Sequence, residues 1–250
     1  MSLPIKKVAL ITGSGKRRVG NVVARRLAWR GYSIAIHYNR SAYDARETVE
    51  ELTSLGIQAS AHQADLAHET HVQKLVDETL ENYGRIDVLV TAAAIWERKR
   101  LEDVTADDVR RYFDINTLAT FLCCQKVGLA MVNQPEGGSI VTIGDWAIER
   151  PYLDYAAYFP SKGAIPTMTR TLAVELAHRN PKIRVNCVLP GPVMMPTELS
   201  PEEVQAAVAG TVLQRGGSPE DVAQAVEFFI ENDFVTGVCL PVDGGRTIAT

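Results

Sequence analysis

Cysteine is scarce in this sequence: 250 residues contain 4, and no two of them stand at a C-x-x-C spacing. That pattern excludes a disulfide scaffold and a zinc site, and leaves Cys123, Cys124, Cys187 and Cys239 as reduced, small apolar residues. Charge of one sign is lacking as well. A net charge of −4 gives no general attraction to nucleic acid or to an anionic membrane surface. No basic flank with an apolar stretch of signal-peptide form is found, and no run reads as long enough to cross a bilayer, so the expected location is the cytoplasm. Linkers rich in proline, glycine or serine, internal repeats and low-complexity tracts are all missing, and residues 1–250 are expected to form a single domain. With 46% hydrophobic and 22% charged residues, the chain can bury one sizeable core.

What is present is alternation. Short β-branched or apolar runs occur at Val8–Thr12, Ser33–His37, Ala59–Gln63, Val88–Thr91, Ser139–Ile143, Arg184–Leu189 and Gly237–Val242. Longer stretches of helical periodicity separate them, including Asp107–Val132 and Tyr158–His178. Strands apolar on both faces with helices between them predict an α/β fold. The expected architecture is a doubly wound parallel sheet, the Rossmann fold, with about seven strands and helices on both faces. Ligands of such sheets bind beyond the carboxyl ends of the strands.

The first strand leads into Thr12, Gly13, Ser14, Gly15, Lys16, Arg17, Arg18, Val19 and Gly20, followed by the helical run Asn21–Trp29. Glycines let backbone N–H groups approach a phosphate, and the helix start adds positive potential. The second strand ends in His37, Tyr38, Asn39, Arg40 and Ser41. No acidic residue stands there to bond a ribose 2′-hydroxyl, whereas arginine and serine suit a 2′-phosphate. Lys16, Arg17, Arg18 and Arg40 are therefore expected around one dianion, and NADPH ahead of NADH. Asp65, closing the third strand, either reaches the adenine or caps the next helix.

Tyr158 and Lys162 stand at i and i+4 and share a helix face. A lysine ammonium there lowers a phenol's pKa by roughly 1 to 3 units, toward the range where a general acid works best. Asp145 lies a short distance upstream, after Gly144.

Taken in order, T-G at Thr12 and Gly13, Asn116, Y-x-x-x-K at Tyr158 and Lys162, Pro190-Gly191 and V-D-G-G at Val242–Gly245 resemble the short-chain dehydrogenase/reductase family from end to end. Within it, Arg18-Val19-Gly20, the run from His37 to Ser41, and Gly144-Asp145, where most members carry serine, resemble the pteridine reductases. The resemblance implies that Tyr158 is the proton donor, that Lys162 lowers its pKa and holds the nicotinamide ribose, and that Asn116 holds a relay water. It also implies cofactor contacts along Gly13, Ser14, Lys16, Arg17, Arg18, His37, Tyr38, Asn39, Arg40, Ser41, Asp65, Leu66, Ala92, Tyr158, Lys162, Pro190, Gly191 and Val193. Family oligomers pair their C-terminal strand and long helices across two-fold axes, which implies a homotetramer. The segment 193–212, with its prolines and methionines, reads as a mobile lid over the substrate.

Some positions depart from the family pattern. The phosphate turn is one residue longer, so either Arg17 or Arg18 matches the family arginine. Thr91-Ala92-Ala93-Ala94 replaces an asparagine-containing turn, and Thr91 is expected to substitute in part for its hydrogen bonds. Pro166 cannot bond the Lys162 carbonyl, which predicts a kink or a freed carbonyl at a cost of about 3 kcal/mol.

Asp145 bears on the substrate. A ketone develops negative charge on oxygen and calls for donors, whereas an ionised aspartate only accepts hydrogen bonds. A pterin or other aminopyrimidinone presents N–H groups that Asp145 can orient, or whose proton it can relay, while its C=N bond is reduced. Trp96 follows the fourth strand where the resemblance places an aromatic that stacks on such a ring; its other reading is a plug in the core or an interface. Arg98, Lys99 and Arg100 read as a solvated loop ahead of a site for an anionic substrate tail. The alternatives to C=N reduction are a carbonyl reductase of the 3-oxoacyl-carrier-protein type and a non-catalytic NADPH-binding sensor.

Overall fold

The computed structural model describes residues 6–195 and 199–249. Its strands are β1 (Val8–Thr12), β2 (Ser33–Tyr38), β3 (Ala59–Gln63), β4 (Val88–Thr91), β5 (Gly138–Ile143), β6 (Ile183–Pro190) and β7 (Cys239–Val242). Its α-helices are α1 (Val19–Trp29), α2 (Ala42–Ser54), α3 (Glu69–Tyr83), α4 (Ala106–Tyr112), α5 (Ala119–Val132), α6 (Tyr158–Arg179), α7 (Pro201–Ala209) and α8 (Pro219–Glu231). The strands form one sheet in the order β3-β2-β1-β4-β5-β6-β7, and every neighbouring pair is parallel. From β1 the chain winds outward to β3, then returns to β4 and winds the other way. The crevice of such a sheet opens where the winding reverses, at the carboxyl ends of β1 and β4.

Side-chain alternation distributes the core over two faces. Leu10 of β1 packs with Val72 of α3, Leu122 of α5 and Leu172 of α6. Its neighbours Ala9 and Ile11 pack on the opposite face with Val23 of α1, Leu52 of α2 and Phe229 of α8. Each fully buried aliphatic side chain contributes about 1.5–3 kcal/mol of apolar transfer. This two-sided burial is why the strands read as continuous apolar runs. β7 starts two residues later than expected because Gly237 turns the chain with φ +73°.

The stretch expected as one helix from Asp107 to Val132 is interrupted by a π-helical turn, Phe113–Leu118. By length and composition the run Ala106–Val132 is apolar enough to cross a membrane, which corrects the expectation that no segment is long enough. Leu122, Cys123, Cys124, Val127 and Met131 of this run are packed in the core. Helix α6 continues through Pro166. The four cysteines are free thiols.

Candidate active site

The glycine-rich turn after β1 is held from behind. Gly13 has φ +66°, and a Cβ there would lie 2.6 Å from the Ala93 Cα, so the turn presses against the end of β4. The Gly13 N–H donates to His37 Nδ1 at 3.0 Å, and His37 Nε2 donates to the Ala64 carbonyl at 3.0 Å. Burial pushes the His37 imidazole down to about 4. A neutral ring with Nδ1 free to accept is what this clamp requires. Ser14 is likewise turned inward: its hydroxyl donates to the Ile11 carbonyl at 2.7 Å, and its N–H donates to the His37 carbonyl. Both side chains are consumed in shaping the turn, which leaves the backbone of His37 and Ser14 to face a ligand. Leu66 also buries its side chain in the core, leaving only its backbone to face a ligand. Asn21, which the sequence did not single out, donates to the Ser14 carbonyl at 2.9 Å and locks the turn to α1.

The surfaces facing the crevice suit a phosphate. Helix α1 has no side-chain cap and no acidic residue in its first turn, so its positive end is unneutralised. A Cβ on Gly15 would lie 2.5 Å from Ser41 Oγ and 2.7 Å from Tyr38 Cβ. The turn therefore lies directly against the end of β2, next to Asn39 and Arg40. Arg17 leans away onto α2, 3.6 Å from both Glu47 and Glu51, whereas Arg18 and Lys16 have no acidic partner among the described residues. Asp65 Oδ1 accepts from the Ala67 N–H at 3.2 Å, which shapes the turn ahead of α3; the cap position of that helix is His68 and carries no side-chain cap bond, so the helix-capping reading is corrected.

On the other side of the crevice, Gly191 is dictated by packing. A Cβ there would come 2.5 Å from the Asp243 Cα, and the Gly191 N–H donates to the Val242 carbonyl at 2.9 Å. This contact is why Pro190-Gly191 and V-D-G-G occur together. Val193 is buried beside them, and Ala92 lies under Gly20 at the start of α1.

The candidate catalytic groups converge where β5 meets α6. Tyr158 Oη donates to Asp145 Oδ2 at 2.6 Å, and Asp145 Oδ1 accepts from the Ala147 N–H at 2.8 Å. One aspartate thus caps the short 3-10 turn Trp146–Ile148 and also engages the phenol. Burial raises the Asp145 carboxyl above its ordinary range, against the hydrogen bonds from Tyr158 and Ala147 and the charge of Lys162. Burial, then the Asp145 charge and hydrogen bond, push the Tyr158 phenol well up. Lys162 is engaged with the backbone of β5. Its Nζ donates to the Ile143 carbonyl at 2.9 Å, and its own pKa is lowered by burial. Asn116, inside the π-helical turn, accepts from Ile95 N–H at 2.9 Å. It donates to the Ile95 carbonyl and to Ser161 Oγ, both at 3.1 Å. Its amide therefore ties the loop after β4 to α6. The Thr91 hydroxyl is buried without a hydrogen-bond partner among the described residues, which corrects its expected role. Thr12 Oγ1 accepts from the Ala93 N–H instead.

Beside Tyr158 opens a cavity of about 530 Å³. Trp96 lines it as expected, but Tyr155 stacks on one face of the indole with centroids 4.8 Å apart and planes at 11°. One face of the indole is thus packed, and its remaining surface borders the cavity. Trp146, Tyr152, Tyr155 and Arg246 also line it; none was singled out from the sequence, since they come from a loop and the C-terminus and carry no local motif. Arg98 is paired with Asp154 at 2.9 Å, Lys99 with Asp108 at 2.5 Å and Arg100 with Asp103 at 3.1 Å. The basic triplet is a locally neutralised loop. Pro196, counted with the lid in the sequence, lies outside the described residues.

A family model described as Enoyl-(Acyl carrier protein) reductase matches residues 14–247. The chain is 37% identical to an oxidoreductase of Methylorubrum extorquens, over 96% of this chain and 97% of that one. It is 34% identical to the versicolorin reductase of Emericella nidulans, over 96% of this chain and 95% of that one. The crystal structure of a blue fluorescent protein from a metagenomic library in complex with NADPH superimposes with a TM-score of 0.87 at 37% identity, covering 96% of this chain and 97% of that one.

Proposed function

The chain belongs to the short-chain dehydrogenase/reductase family, and from that premise we propose that this NADP-dependent oxidoreductase reduces the C=N bond of a pterin-like heterocycle. The observation that carries the reading is the 2.6 Å hydrogen bond from Tyr158 to Asp145 at the wall of an aromatic-lined cavity. NADPH, when bound, supplies the hydride. Lys16, Arg18 and Arg40 hold its 2′-phosphate, since Arg17 is committed to α2, and the open end of α1 faces its diphosphate. The Asp145 carboxylate accepts from ring N–H or amino groups and fixes the heterocycle flat beside the remaining surface of Trp96. The ring nitrogen takes its proton from Tyr158 Oη, either directly or through Asp145. Lys162 holds the nicotinamide ribose, and Asn116 positions the loop after β4 and a water for reprotonation. The lid at residues 193–212, of which 196–198 lie outside the described residues, excludes bulk water. Exposed Phe113, Leu118, Phe121, Leu129 and Val174 on α5, α6 and the π-helical turn support pairing into a homotetramer.

The test is NADPH consumption by the purified protein with dihydrobiopterin, dihydrofolate and an acetoacetyl thioester. Turnover of a dihydropterin above the thioester is expected; turnover of the thioester alone would overturn the reading. The likeness to versicolorin reductase favours carbonyl reduction as the second reading, and the thioester and a phenolic polycyclic ketone are its substrates in the same assay.

A further inference from the structure

The cavity beside Tyr158 has two cations in its wall, Arg98 and Arg246. Arg98 is neutralised: its Nε lies 2.9 Å from Asp154 and its Nη1 3.7 Å from Glu203. Arg246 is not. Its Nη1 donates to the Ala207 carbonyl of α7 at 2.6 Å, its guanidinium lies 4.9 Å from the Trp146 ring centroid, and Nε and Nη2 have no partner among the described residues. The nearby acid that might have neutralised it is otherwise engaged. Asp243 Oδ1 accepts from the Gly245 N–H at 2.9 Å, and Oδ2 accepts from the Thr247 N–H and hydroxyl, both at 2.7 Å. These bonds also fix the turn from which Arg246 projects. Gly210 gives the guanidinium its room, because any Cβ there would collide with Nη1.

A partly desolvated, unpaired guanidinium held against an aromatic face is costly unless an anion joins it, and its planar fork matches a carboxylate. Burial and the nearby Arg150 already push its pKa down, the expected sign for a cation lacking its counter-charge. Asp145 directly precedes Trp146, whose ring Arg246 faces, so the cavity wall combines an accepting carboxylate, an aromatic surface and a cation.

Resting on the reading above, we propose that Arg246 anchors a carboxylate carried by the substrate. The substrate is then a flat N-heterocycle whose N–H groups meet Asp145 and whose acidic tail meets Arg246.

The test compares wild type, Arg246→Met and Arg246→Lys, each loaded with NADP+ and checked for an unchanged melting temperature. Binding of 2-naphthoate and of its uncharged isostere 2-naphthamide is measured by calorimetry. Arg246→Met should weaken naphthoate by roughly tenfold to a hundredfold, the loss expected for one charged hydrogen-bonded pair, and leave naphthamide nearly unchanged. Arg246→Lys should recover part of the loss. Equal weakening of both probes would mean that Arg246 only positions α7, and would overturn the proposal, as would naphthoate binding that ignores the substitution. In turnover, Arg246→Met should raise KM for dihydrofolate and not for dihydrobiopterin, which lacks the carboxylates. Naphthoate selectivity lost in Arg246→Met, with neither pterin reduced by wild type, would overturn C=N reduction and keep the carboxylate anchor.

Discussion

Replacing Asp145 with serine separates the two chemistries that this fold can host. The aspartate accepts two hydrogen bonds, from the Ala147 N–H at 2.8 Å and from Tyr158 at 2.6 Å. A serine hydroxyl can keep the first, because serine and aspartate are comparable caps, so the fold should lose little. The second changes in kind. A hydrogen bond to a charged partner is worth about 1.5–3 kcal/mol, or roughly a tenfold to 150-fold change in rate if the same carboxylate holds the substrate. Dihydropterin kcat/KM should fall by that factor. Removing the carboxylate also removes two of the causes that lift the Tyr158 phenol and frees its proton, so ketone turnover should rise. The assay is NADPH consumption at saturating cofactor, followed across pH. Because burial raises the Asp145 pKa, an orienting carboxylate forms only above the ordinary value of about 4. Pterin turnover should therefore climb with pH through that raised value, and the limb should vanish in Asp145→Ser. Stability runs the other way. A raised folded-state pKa contributes stability below the unfolded value and loses it as pH rises, so the variant should gain in melting temperature relative to wild type toward neutral pH. Undiminished pterin turnover in Asp145→Ser would refute the reasoning.

Tyr158→Phe should lower kcat by roughly 10²- to 10⁴-fold, the usual contribution of a positioned acid, with NADPH binding by fluorescence titration unchanged; retained turnover would remove Tyr158 from the proton path. His37, held near 4 by burial, favours the neutral ring in the folded chain, so its stability contribution is present above the unfolded value and lost as pH falls through it. Urea melts should show about 3 kcal/mol of acid destabilisation between roughly pH 6.5 and pH 4 that His37→Asn reduces; an identical pH slope in the variant would contradict the clamp. Arg40→Ala should raise KM for NADPH by roughly tenfold or more and leave KM for NADH alone; equal effects on both would move the 2′-phosphate elsewhere.

The sheet was legible because parallel strands buried on both faces leave uninterrupted apolar runs, and because the motifs fall where those runs end. Strand limits shifted by one or two residues where backbone geometry intervened, as at Gly237. The π-helical turn at Phe113–Leu118 was not legible, since one extra residue per turn has no propensity signature and the apolar pattern continues through it. At the site, local spacing brought Tyr158 and Lys162 together on α6, and the Gly144-Asp145 pair singled out the aspartate. What Lys162 bonds was not legible, because the Ile143 carbonyl arrives from β5 through tertiary packing. The inward roles of His37 and Ser14 escaped for the same reason. Trp146, Tyr152, Tyr155 and Arg246 enter the cavity from irregular segments, where neither periodicity nor a motif marks them.

The aromatic walls make the protein its own optical instrument. Of its three tryptophans, Trp96 and Trp146 line the cavity, while Trp29 is 81% exposed. Emission from the two cavity indoles overlaps the absorption of a reduced nicotinamide, and anything entering the cavity changes their surroundings directly. Acrylamide would quench Trp29 first, leaving a residual signal that reports occupancy alone. A Trp29→Phe chain would read cofactor and substrate arrival in real time without a label.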